Sequence, residues 1–101
     1  MFYVYILLVS NKQLYAGFTT DLGRRLAEHE TGSVEFTRNR RPVELIHHEA
    51  YVLESDARRR EKFLKTTEGK RLLRQQLRDS LIQKGVLSVK SDPIDRVFIP
   101  R

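Results

Sequence analysis

The sequence contains no cysteine. That absence removes disulfides and every thiolate-based metal site, and it fits a reducing compartment. Long apolar runs are missing too. The most apolar stretch, Tyr3-Val4-Tyr5-Ile6-Leu7-Leu8-Val9, is too short to span a bilayer, and no cationic segment precedes it as in a secretory signal. A cytoplasmic protein without membrane association is the expectation. There is no internal repeat and no low-complexity segment. The 101 residues suffice for one small core and not for two. Acidic side chains are the minority charge: 13 Asp and Glu stand against 19 Lys and Arg, a net charge of +6. An excess of that sign favours a polyanionic partner, because each neutralised phosphate releases condensed counterions.

What is present reads as short alternating elements. The β-branched and aromatic run from Tyr3 to Val9 predicts a strand, apolar on both faces and therefore central in its sheet. Ser10-Asn11-Lys12-Gln13 is a turn, and Leu14 to Thr19 returns as the second strand of a hairpin. Thr20 or Asp21 can cap a helix that runs to about Glu30 and stops at Thr31-Gly32. Ser33 to Pro42 reads as a polar, basic loop, and Val43 to Val52 as a third strand. Ser55 is placed to cap a helix through about Lys65, and Glu68 to Gln83 supplies a further helix with Leu72, Leu73, Leu77 and Leu81 on its apolar face. The order β-β-α-β-α-α predicts a small α+β domain on a three-stranded antiparallel sheet. Residues 1–83 make up the domain. Residues 84–101 form a tail whose apolar run Val97-Phe98-Ile99 either packs as an extra strand or waits for a partner.

Two anomalies point toward chemistry. On the first helix, Leu22, Leu26 and His29 fall within one arc, with Arg25 beside them and four residues before His29. The plain reading is a snorkelling arginine and a hydrogen-bonded core histidine. The functional reading is a cation placed against phosphate charge, with an imidazole beside it. On the second helix, Glu61 lies at the edge of the apolar arc of Ala57, Phe63 and Leu64, among Arg58, Arg59, Arg60, Lys62 and Lys65. It is either one more intrahelical ion-pair partner or an oxygen ligand for a hard divalent cation. The hairpin adds Tyr3, Tyr5 and Tyr15, and Gly17 weakens its strand unless a close-approaching group needs the space. A two-residue turn at Asn11-Lys12 sets Tyr5 and Tyr15 on opposite faces of the sheet; a three-residue turn from Asn11 to Gln13 sets them on the same face. His47 and His48, on the third strand, read as surface or packing residues.

Together these residues have a familiar order. Tyr3-Val4-Tyr5, followed ten residues later by Tyr15-Ala16-Gly17, resembles the paired motif of the GIY-YIG nuclease superfamily. Thr20-Asp21-Leu22-Gly23-Arg24-Arg25-Leu26-Ala27-Glu28-His29 resembles its next motif, and Arg59-Arg60-Glu61-Lys62-Phe63-Leu64-Lys65 the helix that carries its metal-binding glutamate. Phe36-Thr37-Arg38-Asn39-Arg40-Arg41-Pro42-Val43-Glu44-Leu45 is similar to the small stand-alone bacterial branch. The likeness spans residues 2–80. Tyr3 stands where the family has Gly, Val4 and Ala16 where it has Ile, and no Asn follows Glu61, although larger members use one there.

The resemblance implies a one-metal phosphodiesterase. Tyr5 would be the general base, helped by His29. Tyr15 would orient water or the scissile phosphate, and Arg25 would stabilise the pentacovalent phosphate. Glu61 would hold Mg²⁺ or Mn²⁺. Gly17, Thr37, Arg38, Arg40, Arg41 and Lys65 are the candidates for contact with nucleic acid, the arginines as backbone-positioning groups without base readout. The implied activity is an endonuclease cutting DNA by structure or as single strands, in repair or processing. The alternatives are a non-catalytic nucleic-acid-binding module of the same fold, and an enzyme directed at RNA. No oligomeric state is implied.

Overall fold

The computed structural model describes residues 1–89. The tail strand expected at Val97-Phe98-Ile99 lies outside the described residues. Two compact units divide the chain, Met1–Lys62 and the part from Phe63 onward.

The first unit is built on a sheet of β1 (Phe2–Leu8), β2 (Leu14–Thr19) and β3 (Glu44–Tyr51), in the order β2-β1-β3 and antiparallel throughout. β1 is central, as its unbroken apolar run requires, and every residue from Val4 to Val9 is buried. The turn falls one residue earlier than either expected register. Val9 N–H donates to Gln13 O at 3.0 Å and Lys12 N–H to Val9 O at 3.0 Å, so the loop is Ser10 to Lys12, with Lys12 at φ 69°. A three-residue hairpin loop needs one left-handed residue at that place. The register pairs Tyr5 with Gly17 and Leu7 with Tyr15. Side chains alternate along a strand, so Tyr3, Tyr5, Leu7, Tyr15, Gly17 and Thr19 share one face, while Phe2, Val4, Ile6 and Phe18 share the other. On β3, Ile46 is the extra residue of an irregularity between the pairs Ile6–His47 and Leu7–Leu45.

α1 (Leu22–Glu30) is capped by Asp21, whose carboxylate accepts from Arg24 N–H at 3.1 Å. Its inward stripe is the one expected: His29 is buried, and Leu22, Arg25 and Leu26 are half-buried. The segment expected as a loop holds a short helix, α2 (Glu35–Arg38), anchored by buried Val34 and Thr37. Its one apolar residue, Phe36, with Val34 just before it, is too little to show helical periodicity, so the polar composition masked it. α3 (Glu54–Phe63) starts one residue before Ser55, which therefore lies inside the first turn and is not the cap; Glu54 and Asp56 there suit the positive end of the helix.

In the second unit, the helix expected as one piece is two, α4 (Thr67–Gln76) and α5 (Arg78–Gln83), broken at Leu77 (φ −101°, ψ 23°). Thr66 caps α4 by accepting from Gly69 N–H at 3.0 Å. Leu73, Leu77 and Leu81 are buried, so the apolar spacing survives the break. No helix among the described residues is long and apolar enough to cross a membrane.

Candidate active site

The tyrosine face of the sheet is where polar groups converge. Tyr5, His29 and Thr37 are each fully buried, and they form one chain of hydrogen bonds. Tyr5 Oη lies 2.8 Å from His29 Nε2, and His29 Nδ1 lies 2.7 Å from Thr37 Oγ1. Burial first, then the positive charge of Arg25, lowers the pKa of His29 below the usual imidazole value. A neutral imidazole between two hydroxyls donates through one nitrogen and accepts through the other. In the sense that makes Tyr5 the donor, Nε2 accepts and Nδ1–H donates to Thr37.

Arg25 completes the group. Its Nε–H donates to Tyr5 Oη at 3.3 Å and its Nη1 donates to Glu28 Oε1 at 3.0 Å. The hydrogen bond to Tyr5 is the main reason Arg25 holds its proton more tightly than usual. Tyr5 itself is pushed up to about 12, chiefly by burial; the Arg25 hydrogen bond opposes that rise without cancelling it. Tyr15, half-buried, packs its ring 6.3 Å from Tyr5 and 5.4 Å from His29, centroid to centroid. Both phenols therefore lie on one face, because the turn, though displaced, keeps the parity of the three-residue case. Gly17 explains how Tyr5 fits: a Cβ there would sit 2.3 Å from Tyr5 Cζ.

Arg25 and Glu28 also line an open pocket of about 460 Å³, shared with Thr19, Thr20, Arg24, Phe18 and Arg58. Three guanidinium groups on one concave surface make it suited to a phosphate. Arg58 is held against the ring of Phe18, with Cζ 3.8 Å from the centroid.

The GIY-YIG catalytic domain, as a family model, matches residues 1–75 of this sequence. The chain belongs to the GIY-YIG family. It is 45% identical over 65 residues to a UPF0213 protein of Natronomonas pharaonis, across 63% of this chain and 76% of that protein. To a UPF0213 protein of Staphylococcus haemolyticus it is 42% identical over 65 residues, across 63% and 79%. Its fold is similar to the solution NMR structure of a UPF0213 protein from Bacillus halodurans, with a TM-score of 0.50 and 34% identity over 75% of this chain and 85% of that one. The UPF0213 designation states no activity. GIY-YIG membership brings nuclease-type chemistry on nucleic acid in general, and such nucleases generally use divalent metals.

Within this GIY-YIG domain, the structure brings together Tyr5, Tyr15, Gly17, Arg25, His29 and Thr37. Thr37, expected to face nucleic acid, is instead buried behind His29 as its hydrogen-bond partner. Glu61 is half-buried on α3, one turn after buried Ala57 and one turn after Arg58. Among the described residues no group of three or more His, Asp or Glu could enclose a metal ion. A single carboxylate is a hard oxygen donor of the kind Mg²⁺ or Mn²⁺ accepts when water and a substrate phosphate supply the remaining ligands. Glu61 is a donor of that kind, and the side chains lining the pocket of Arg24, Arg25 and Arg58 do not include it.

The basic segment has a second duty. Arg38 Nε–H donates to Gly32 O at 2.9 Å, Arg41 Nη1 donates to Glu30 O at 3.2 Å, and the guanidinium of Arg41 occupies the space beside Gly32, whose φ is 83°. Both cations satisfy carbonyls at the C-terminal end of α1, where positive charge is favourable. Arg40 lies over the exposed ring of Phe36, with Cζ 4.4 Å from the centroid. Lys65 is exposed and belongs to the second unit.

Sequence reasoning overlooked Glu28, Arg58, Phe36 and the Glu49 cluster. Glu49, on β3, accepts from Arg60 Nε at 2.9 Å and Nη2 at 3.1 Å, and from Tyr51 Oη at 2.5 Å. Burial alone would raise its pKa; the hydrogen bonds from Arg60, Tyr51 and His47 outweigh burial and bring it to about 2. The alternation along β3 placed Glu49 opposite Val4 and carried the only hint of its burial.

Proposed function

We propose that this chain is a divalent-metal-dependent endonuclease that hydrolyses phosphodiester bonds in DNA, acting in DNA repair or processing in the cytoplasm, with residues 1–83 as the nuclease module. The observation that supports it is the buried phenol and imidazole of Tyr5 and His29, 2.8 Å apart, with the half-buried guanidinium of Arg25 3.3 Å from the phenol and beside a pocket lined by arginines.

The chemistry follows from those contacts. Tyr5 Oη is the base, and its own proton passes to His29 Nε2 as the attacking water gives up its proton to Tyr5. That exchange avoids a free phenolate, which a hydroxyl with a pKa near 12 would not supply at neutral pH. Arg25 turns from Glu28 to the scissile phosphate and stabilises the added negative charge. Tyr5 is fully buried, packed by Tyr15, His29 and Gly17 as well as bonded to Arg25, so substrate must displace part of that packing to reach its hydroxyl. Tyr15 orients the phosphate or the water, and Thr37 holds the imidazole. A Mg²⁺ or Mn²⁺ ion, held by Glu61, would neutralise charge on the leaving oxygen.

The complete burial of Tyr5 also favours a second reading, in which the domain binds nucleic acid without turnover. One experiment separates the two. Labelled single-stranded, branched and duplex DNA, with an RNA strand beside them, are incubated with protein and Mg²⁺ or Mn²⁺, then with EDTA. Cleavage with metal, absent from Glu61→Ala and Arg25→Ala proteins that still bind, is the expected outcome. Binding without cleavage under every condition would establish the second reading.

A further inference from the structure

Two aromatic–guanidinium stacks lie near the tyrosine–histidine cluster, one on its own face of the sheet and one on the opposite face, at the edge strand β2. On one side, Phe36 projects from α2 with 54% of its surface exposed, although its neighbours Val34 and Thr37 are buried. Its ring lies 5.3 Å from that of Tyr15, tilted by 33°, and Arg40 rests over it at 4.4 Å. On the other side, Arg58 lies on Phe18 at 3.8 Å, and Phe18 is stacked on Phe2 at 6.3 Å and 18°. The side chain of Arg58 is 56% exposed, so the outer face of its guanidinium plane is open, and it borders the same pocket as Arg25. The contacts run without a gap from Arg40 through Phe36, Tyr15, Tyr5 and Arg25 to that pocket.

An exposed aromatic beside a reactive group, backed by a cation, is what a π-face recognises. Bases stack on aromatic rings and on guanidinium planes, and stacking tolerates any sequence because every base has a π-face. In a continuous duplex both faces of each base are occupied by its neighbours. Stacking on Phe36 and Arg58 therefore selects nucleotides that are unstacked and unpaired. The positive charge of the chain supplies the backbone attraction, and the planes supply the selection.

We infer that Phe36 and Arg58 are base-stacking positions on either side of the scissile phosphate, and that the substrate is a strand with unpaired bases there. This inference rests on the nuclease reading for what happens at the phosphate, but its test does not. Binding is measured in EDTA, where nothing is cut. The protein lacks tryptophan, so Phe36→Trp introduces a single indole at an exposed position, which can be excited apart from the tyrosines. A single-stranded oligodeoxynucleotide, or its RNA counterpart, is expected to quench that fluorescence, and a blunt duplex of the same sequence is not. By anisotropy, Phe36→Leu should weaken single-strand binding by about tenfold and leave duplex binding within about twofold. Arg58→Lys, which keeps the charge and loses the plane, should act in the same direction. No quenching, or equal losses on single strands and duplex, would overturn the inference. A protein that binds in this selective way and never cuts would sink the nuclease reading and leave the stacking positions standing. One that cuts, while Phe36→Leu and Arg58→Lys bind as the parent does, would do the reverse.

Discussion

Tyr5 and Gly17 face one another across β1 and β2, and a methyl group on Gly17 would lie 2.3 Å from Tyr5 Cζ and 2.4 Å from its hydroxyl oxygen. The glycine is thus the space in which the phenol lies, and the hydrogen bonds to His29 and Arg25 depend on it. Gly17→Ala should push the ring off both partners. Overpacking of this kind costs about 1–3 kcal/mol. The expected result is a lowered urea midpoint together with loss of cleavage, and an unchanged midpoint would mean that the ring has room the geometry denies it.

Tyr5→Phe removes only the hydroxyl. Because that group is buried and bonded to His29 and Arg25, the substitution is not silent in stability, as an exposed phenol would be. It should cost about 1–3 kcal/mol, the usual range for a buried hydrogen-bonding group left without its partner. If Tyr5 is the base, the rate should fall by about 10²–10⁴. Single-turnover cleavage with saturating protein separates that loss from weakened binding, and a rate within a few-fold of the parent would remove Tyr5 from the chemistry.

Stability should decline at both ends of the pH scale. Tyr5 and Tyr51 are each pushed up to about 12 from 10.0, first by burial. Below pH 10 both states keep these protons and the contribution is fully present. Between about 10 and 12 the unfolded chain ionises first, so stability falls as pH rises. On the acid side, His29 is lowered below 6.5 and Glu49 from 4.5 to about 2. The unfolded chain takes up those protons first, so stability is lost as pH falls through 6.5 for His29, and from 4.5 toward 2 for Glu49. Urea midpoints across pH should trace this curve, and Tyr5→Phe should flatten its alkaline limb. An alkaline limb identical in the variant would show that Tyr5 does not titrate in this way.

The Glu49–Arg60 pair ties α3 to β3 through two hydrogen bonds, with side-chain exposures of only 16% and 26%. Glu49→Gln leaves Arg60 and Tyr51 partly unanswered. Breaking a fully buried pair costs about 3–5 kcal/mol, and partial exposure here brings the expectation to about 2–3 kcal/mol. Since Glu61 follows Arg60 on the same helix, metal-dependent cleavage should also fall. A double-mutant cycle with Arg60→Met reads the coupling directly, and additive losses would show that the two side chains act independently.

Much of this protein was legible in the linear chain because it depends on local periodicity. The unbroken apolar run predicted a central β1. Asp21 before a 3.6-residue pattern predicted α1, and the stripe of Leu22, Arg25, Leu26 and His29 predicted which side chains turn inward. The order of the tyrosine, arginine–histidine and glutamate motifs carried the family, which the match over residues 1–75 shows. Other features depend on contacts between distant segments. The face shared by Tyr5 and Tyr15 was decided by where the hairpin closes, at Ser10 to Lys12. Thr37 reads as a polar loop residue until α2 folds it behind His29, eight positions away in sequence and 2.7 Å away in space. Glu49 reads as an ordinary strand carboxylate until Arg60 arrives from another element. Periodicity follows from the backbone geometry of one segment, so a single stretch of chain determines it. Burial of a polar group becomes favourable only when its partner is delivered from elsewhere, and that is settled by the tertiary fold alone.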